Sequence, residues 1–419
     1  MVRNVSDIKK FSNKTYPQAP QMSDFPIVKV APSSNKEHGR TVLKRSLRPL
    51  LTISQLASAA PFHIKALDPD SNYGRVKIFA IGTMQLLWGA MLLFAGFVAV
   101  SYKKQWRLQQ SNMPFFTYIL YNVDLYLGLA NSLMIFVVCQ RQRGGYDEIV
   151  TTMEKLSADQ SSVEKDSTRL RNMFSKLLLI AVVHLVLLGT FEFIHTGELT
   201  KLSTTLAAQF VPNVVQVFSL MQYAYVLMFI YLHYKAINGA LVTMAEVFKS
   251  DLTSCSNSLN ALKQQHHQLH LLAFRVNELY GMLIVMSAIS VLVGTSITCL
   301  EVYQFTKNTE LFREWGIHAV LGVLWGGLYI GRIVLILYPN HLVENERDFT
   351  GLLLQNFPSM EDEQYMIELT VFSRLILHQK GSFLVCGLTY LNLNLMAEML
   401  GALTTYLVIL IQFDQSTQY

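Results

Sequence analysis

The sequence is poor in charged residues and in cysteine. Of its 419 residues only 15% are charged and 51% are hydrophobic, whereas about a quarter of the residues of a soluble protein are usually charged. The four cysteines form no C-x-x-C pair and no dense framework. These absences argue against two or three soluble domains, a zinc site and a disulfide scaffold. They favour a protein whose apolar surface is covered by membrane lipid.

Patterns for nucleic-acid binding, metal binding and catalysis are also missing. The net charge of +5 is modest, and the basic residues are spread over several loops, so nucleic acid is not expected as a partner. His266 and His270 have the i, i+4 spacing of zinc ligands, but no third ligand lies nearby, so no metal is predicted. No Ser-His-Asp order, glycine-rich phosphate loop or pair of catalytic carboxylates occurs. We therefore predict neither an enzyme nor a bound cofactor.

What the chain does contain is a series of long apolar stretches. A hydrocarbon core about 30 Å thick is crossed by roughly 20 residues of helix. Seven stretches are long and apolar enough: 79–100, 115–139, 173–194, 210–234, 279–303, 316–338 and 383–413. Because the last is too long for one crossing, an intracellular helical portion is expected before a membrane portion that starts near Glu398. The predicted fold class is an all-α integral membrane protein with seven transmembrane helices.

Basic residues in the connections predict the orientation, because cytoplasmic loops carry an excess of lysine and arginine. With the N-terminus inside, the predicted cytoplasmic segments hold 25 basic residues and the opposite segments hold 6. Without the long segment 1–78 the balance is 12 against 6, which has the same sign. The N-terminus is therefore predicted to be cytoplasmic and the C-terminus extracellular. A G-protein-coupled receptor would have the reverse orientation, and its Asp-Arg-Tyr and Asn-Pro-x-x-Tyr motifs are missing from the third and seventh spans.

The predicted cytoplasmic connections are long and have helical patterns. Residues 258–278 and 361–378 place apolar side chains at three-to-four spacing, which indicates amphipathic helices. The first part of the N-terminal tail, up to about Arg40, is polar and rich in proline and serine, so it is expected to be disordered.

The last span carries a stripe of small and polar residues. Gly401, Thr405, Val408 and Gln412 fall on one helical face with Glu398, at spacings of three and four. Such a stripe on a bilayer helix faces protein or water rather than lipid. Two interpretations of this stripe stay open. Its small residues would either let neighbouring helices pack closely, or the stripe would form the wall of a pore.

A pore built from four copies of this helix would be apolar in the middle and would carry carboxylates at both ends, from Glu398 and Asp414. Carboxylate rings favour cations over anions. Glu398 has two possible roles, because it would either line the inner vestibule or pair with a basic residue such as Arg332.

The end of the same span carries a specific motif. Thr405-Tyr406 is followed by five hydrophobic residues and then by Gln412-Phe413, and six residues complete the chain. This pattern resembles the C-terminal signature of insect gustatory receptors. The resemblance implies a tetrameric, tastant-gated, non-selective cation channel with a central pore, assembled as a homotetramer or with related receptors. It also implies a multi-pass protein in the plasma membrane of sensory neurons.

By the same resemblance, Gln412 and Phe413 lie at the extracellular gate, and Tyr406 holds the last helix against its neighbours. The resemblance divides the chain into a cytoplasmic tail, a ligand-binding bundle of six transmembrane helices, an anchor region with the first part of the last helix, a pore helix and an extracellular tail. The boundaries of these five segments are 1–78, 79–338, 339–397, 398–413 and 414–419.

The resemblance further implies a ligand pocket in the outer half of the helix bundle. Polar and aromatic residues in the outer halves of the spans are the candidates: Tyr118, Asn122, Asp124, Phe191, Glu192, Gln216, His318 and Trp325. Each also fits a purely structural hydrogen bond between helices. Interior carboxylates beside aromatic rings suit sugars and bitter alkaloids equally well, so the ligand class stays open. A secondary transporter is a further alternative, although we find no internal repeat.

Overall fold

In the computed structural model the protein is almost entirely helical. The structure describes residues 35–61, 75–109, 115–158, 163–247, 252–307, 315–358, 362–379, 381 and 383–416. The helices are, in chain order, α1 (Asn35–Leu56), α2 (Arg75–Gln109), α3 (Phe115–Arg141), α4 (Arg143–Ala158), α5 (Val163–Thr196), α6 (Leu199–Thr205), a π-helical turn (Leu206–Phe210), α7 (Val211–Val247), α8 (Leu252–Lys307), α9 (Trp315–Gln355), α10 (Glu363–His378) and α11 (Asn394–Ser416). A two-stranded antiparallel hairpin, β1 (Leu384–Val385) and β2 (Thr389–Tyr390), precedes α11.

Within the described ranges, seven segments are helical, long and apolar enough to cross a membrane, which confirms the predicted number. Helices α7, α8 and α9 have 37, 56 and 41 residues, which is far more than a single crossing requires. The longest, α8, has 56 residues, which corresponds to about 84 Å at the α-helical rise. Since the hydrocarbon core is about 30 Å thick, a large part of α8 extends beyond the membrane.

Helix α7 forms the centre of the bundle. In its most apolar segment 89% of the residues are buried inside the chain, against 6% for α5 and for α11. It packs against α3, α8 and α9 and buries large side chains that include Tyr223, Phe229 and Tyr234. The hydroxyl of Tyr223 donates to Oδ1 of Asn277 on α8 at 2.7 Å. The low burial of α5 and α11 leaves their surfaces for lipid or for other chains.

The two ends of the bundle differ in structure. At the short-loop end, where α2, α5 and α8 finish and α3 and α9 begin, Nε2 of Gln304 donates to Oγ1 of Thr117 at 2.9 Å. At the hairpin end, α1, α4, α10 and the β-hairpin pack around the extensions of the long helices. There Lys263 of α8 pairs with Glu368 of α10. The helices predicted over 258–278 and 361–378 are confirmed as part of α8 and as α10.

The N-terminal region contains a docked helix that the sequence analysis missed. Helix α1 buries Leu43, Leu47 and Leu50, and Oγ of Ser46 lies 2.7 Å from Oη of Tyr225 on α7 in a buried hydrogen bond. The prediction of disorder up to Arg40 is wrong for 35–40, which are helical. Residues 1–34 lie outside the described ranges. Apolar spacing on one side of α1 is sufficient to anchor this helix although its other positions are polar.

The segment 383–413 is not helical throughout. Its first part forms the β-hairpin, and α11 begins only at Asn394, so the expected intracellular helical portion is wrong. Gly387 lies in the hairpin turn with a φ of +69°, a conformation that glycine adopts without strain. Helix α11 then continues to Ser416, three residues beyond the predicted end of the span.

Candidate functional site

One face of α9 carries a column of three neighbouring side chains. Trp325, Tyr329 and Arg332 follow at spacings of four and three, so they lie on the same side of the helix. The rings of Trp325 and Tyr329 stack with centroids 6.3 Å apart. Cζ of Arg332 lies 4.9 Å from the centroid of the Tyr329 ring, and both Tyr329 and Arg332 are buried. We call these three residues the α9 column.

Helix α5 meets the column at Trp325. Nε1 of Trp325 donates to Oε1 of Glu192 at 3.0 Å, and the Phe210 ring packs edge-on against Trp325 with centroids 5.6 Å apart. Phe191 belongs to the same apolar cluster. Glu192 is only 9% exposed, as expected for a carboxylate that faces the interior of a membrane bundle. The structure therefore brings together three predicted residues, Phe191, Glu192 and Trp325.

Helices α3 and α7 meet the column at Arg332. Nη1 of Arg332 donates to Oε1 of Gln216, and the Asp124 carboxylate is close enough to interact electrostatically with the guanidinium. The alternative in which Glu398 pairs with Arg332 is wrong, because Glu398 is exposed on α11 whereas Arg332 is completely buried in the bundle. Gln216 and Asp124 therefore lie beside Arg332, and Arg332 follows Trp325 by about two helical turns along α9.

His318 lies at the short-loop end of the same region. Its ring packs edge-on against the His195 ring with centroids 4.6 Å apart, which joins the end of α5 to the start of α9. His318 is half-buried and precedes Trp325 by about two helical turns. It therefore borders the cluster around Trp325.

Tyr118 and Asn122 lie in a different place. They line an open depression of about 540 Å³ whose lining residues all come from α2 and α3. Nδ2 of Asn122 donates to the Tyr118 carbonyl within α3 at 2.8 Å. The predicted ligand residues therefore divide between an open depression on α2 and α3 and the surroundings of the α9 column, where side chains from α3, α5, α7 and α9 meet.

The polar stripe of α11 faces away from the rest of the chain. The helix packs on α8 and α3 through partly buried side chains that include Leu395 and Met399. Four predicted pore residues are on the opposite side and are exposed: Gly401, Thr405, Val408 and Gln412. Phe413 is also exposed, near the end of the helix. A Cβ added at Gly401 would meet no described atom within 4 Å. Close packing within one chain therefore does not explain the glycine.

Two further predicted residues of α11 are Tyr406 and Asp414. The Tyr406 side chain is 59% exposed, although an aromatic residue in a membrane protein usually packs against protein or the interface. Asp414 lies within the helix, in its last turn, but its side chain is outside the described part. The roles given to Tyr406 and Asp414 stay predictions.

The histidines at the hairpin end serve packing. The His266 ring lies 4.9 Å from the Tyr234 ring and 5.5 Å from the Phe372 ring, measured between centroids. Among the described residues there is no group of three or more His, Cys, Asp or Glu side chains that would hold a metal ion.

A buried lysine near the site was not found from the sequence. Lys103 follows the apolar stretch 79–100, and its Nζ donates to Oε1 of Gln209 at 2.6 Å and to Oγ1 of Thr205 at 3.2 Å. Gln209 lies in the π-helical turn, an irregularity that often occurs at functional sites. A lysine just after an apolar stretch gives no signal of burial, because such residues usually extend to water.

Comparison with known proteins gives matches over most of the chain. The family model described as 7tm chemosensory receptor matches residues 47–417. Gustatory receptor 59f of Drosophila melanogaster is 22% identical over 380 residues, which cover 89% of this chain and 88% of the relative.

Two solved structures of the insect olfactory receptor OR5 from Machilis hrabei, one of them in complex with eugenol, share this fold. They superpose with TM-scores of 0.61 and 0.63, are 14% identical, and cover 91% of this chain and 100% of theirs. At this identity the likeness establishes the fold.

These matches confirm the resemblance that was drawn from the Thr405–Phe413 motif, and they point to a receptor rather than an enzyme. The family model alone covers far more than half of the sequence. The chain belongs to the seven-transmembrane chemosensory receptor family, within the insect chemoreceptor superfamily.

Proposed function

We propose that the chain is the subunit of a gustatory receptor, a tastant-gated and non-selective cation channel in which α11 lines a central pore. The observation that carries the proposal is the exposed stripe of α11. Gly401, Thr405, Val408 and Gln412 face away from the helices on which α11 packs, and a Cβ added at Gly401 would have no neighbour within 4 Å among the described residues. In a tetramer of this chain, alone or with related receptors, the stripes of four α11 helices would face a common axis. They would then line a water-filled pore.

The proposed ligand site is the region of the α9 column. Glu192 and Asp124 are ionisable and almost fully buried, and ionisable residues inside membrane segments commonly mark substrate or ion pathways. The rings of Trp325 and Tyr329 add apolar surface beside these carboxylates. A sugar or a bitter compound would find both kinds of contact here. The solved complex of olfactory receptor OR5 with eugenol supports a small organic ligand.

The proposed gating step couples this site to α11. Helix α9 packs on α8, and α8 packs on α11, so a shift of α9 upon binding has a short path to the pore helix. The expected movement widens a constriction at Gln412 and Phe413. A ligand opens the channel only if it binds the open state more tightly than the closed state, so affinity alone is not sufficient.

The orientation is part of the proposal, with a cytoplasmic N-terminus and an extracellular C-terminus in the plasma membrane of sensory neurons. Epitope tags at the two ends test it. In live, unpermeabilised cells a C-terminal tag is expected to bind antibody and an N-terminal tag is not. The opposite labelling would fit a G-protein-coupled receptor topology.

Reconstitution tests the channel itself. An agonist is first found by calcium imaging of expressing cells against a panel of sugars and alkaloids. The purified protein in liposomes is then expected to pass Na⁺ and K⁺ when that agonist is added, without any other protein. Vesicles that stay silent with an agonist that is active in cells would contradict the proposal, as would a purely monomeric protein in particle images.

A further inference from the structure

Arg332 has hydrogen-bond donors that no described residue satisfies. Its side chain is completely buried, and Nη1 donates to Gln216, whereas Nε and Nη2 have no hydrogen-bond partner among the described residues. A buried, charged donor without an acceptor is strongly unfavourable. An acceptor group from outside the described chain is therefore expected next to these two nitrogens.

The charges around the column restrict what this acceptor is. The Asp124 carboxylate lies within electrostatic range of Arg332, and those of Asp124 and Glu301 lie within electrostatic range of the neighbouring Tyr329 hydroxyl. Glu192 lies at the other end of the column, on Trp325. One arginine thus shares the region with three carboxylates. A further anion would be repelled, whereas a neutral oxygen would not.

The polar and aromatic groups of the column follow one another along α9. Arg332 lies seven residues after Trp325, which corresponds to about 10 Å along the helix. The guanidinium donors of Arg332 lie at one end, and the Glu192 carboxylate, an acceptor, lies at the other. The rings of Tyr329 and Trp325 lie between them. A small molecule with an apolar body and an oxygen at its end matches this order of groups.

We propose that Arg332 recognises a neutral hydroxyl or carbonyl oxygen of the ligand through its Nε and Nη2, and that it discriminates against carboxylates. This inference rests on the proposed function, because it assigns the ligand class of the same site. The rings of Tyr329 and Trp325 contact the apolar part of the ligand. Glu192 accepts a hydrogen bond from a second hydroxyl where the ligand has one.

Matched ligand series on the unmodified protein test the proposal first. The probes are sugars with their deoxy derivatives and sugar acids, and alkaloid alcohols with their deoxy analogues, measured by calcium imaging. For each agonist, the neutral oxygenated form is expected to act at a concentration at least about tenfold lower than the deoxy form and the acid, which corresponds to about 1.4 kcal/mol. Equal potency across each series would overturn the proposal without any variant.

Substitutions then connect the preference to Arg332. Arg332→Met is expected to abolish the difference between oxygenated and deoxy forms, and Arg332→Lys, which keeps one donor group and the charge, is expected to retain part of it. Arg275→Met, at an exposed arginine of the hairpin end, is the matched control and should keep the full preference. An Arg332→Met channel that shifts both forms equally would show that water satisfies the guanidinium and would overturn the inference.

Three outcomes can be told apart. If the Arg332 variants do not reach the cell surface, measured by surface labelling, the series on the unmodified protein still decides the question. If the unmodified protein, present at the surface, responds to no member of the panel, the proposed function fails together with this inference. If it responds but does not distinguish the forms, only the inference fails.

Discussion

The indole nitrogen of Trp325 donates to the Glu192 carboxylate at 3.0 Å and thereby joins α9 to α5 inside the bundle. Helix α5 has few other buried contacts, since only 6% of its most apolar segment is buried. A buried carboxylate on such a helix needs a donor, and Trp325 supplies it. The bond therefore positions α5 and holds the Glu192 carboxyl group beside the proposed ligand site.

Replacing Trp325 by phenylalanine is expected to destabilise the protein by about 1–3 kcal/mol, because Glu192 would lose its donor in a buried place. The measurement is the melting temperature of the purified protein in detergent. Trp88→Phe is the control, since Nε1 of Trp88 donates to the Leu56 carbonyl at a more exposed position. A smaller loss is expected there, and equal losses for the two variants would contradict a special role of the Trp325–Glu192 bond.

Gly294→Ala is expected to disrupt the α9 column. An added Cβ at Gly294 would come within 2.1 Å of the Tyr329 ring, so the ring would have to leave its place between Trp325 and Arg332. We expect a lower melting temperature and a weaker agonist response. Gly331→Ala on α9 is the matched control, because its added Cβ would meet no described atom within 4 Å. That variant should be neutral or more stable by up to about 1 kcal/mol through helix propensity.

Replacing Gln412 or Phe413 by alanine is expected to change gating or to raise the basal current, because these side chains form the proposed constriction. Patch-clamp currents with and without agonist provide the measurement. Gln264→Ala, at an exposed glutamine of the hairpin end, is expected to leave currents unchanged. Normal currents in both α11 variants would count against the proposed gate.

Cysteine accessibility tests which face of α11 meets water. In a background that lacks the exposed Cys386, Val408→Cys is expected to be blocked by a charged thiol reagent while the channel is open. Leu407→Cys, one residue earlier and on the half-buried side, should not be blocked. Block of both variants, or of Leu407→Cys alone, would contradict the proposal that the side of α11 with Val408 lines the pore.

Leu47→Ala is expected to destabilise the protein by about 2–5 kcal/mol, since it leaves a cavity where α1 packs on the bundle. Leu47 is 4% exposed, whereas Leu56 on the same helix is 63% exposed. The same substitution at Leu56 should therefore have little effect. Thermal unfolding of both variants tests whether α1 is an integral part of the fold, and an unaffected Leu47→Ala protein would show that it is not.

Local patterns were sufficient for the main features of the fold. The number of membrane helices followed from length and apolarity, because a hydrophobic core of fixed thickness requires about 20 apolar residues per crossing. The helical patterns over 258–278 and 361–378 are confirmed, the first as an extension of the membrane helix α8 and the second as the separate helix α10. Apolar spacing in α1 carried the same kind of signal, but it was overlooked within a polar and basic tail.

The sequence by itself determined the membrane class of this protein, the seven helices, the polar side of the last helix and, through the Thr405–Phe413 motif, the family. Only the tertiary structure decided which side chains of different helices contact each other. It joined Trp325 to Glu192 and Arg332 to Gln216 rather than to Glu398, and it put Tyr118 on an outer surface. The physical reason is that helical periodicity defines which face of a helix is polar, whereas the group opposite that face depends on how all the helices pack together.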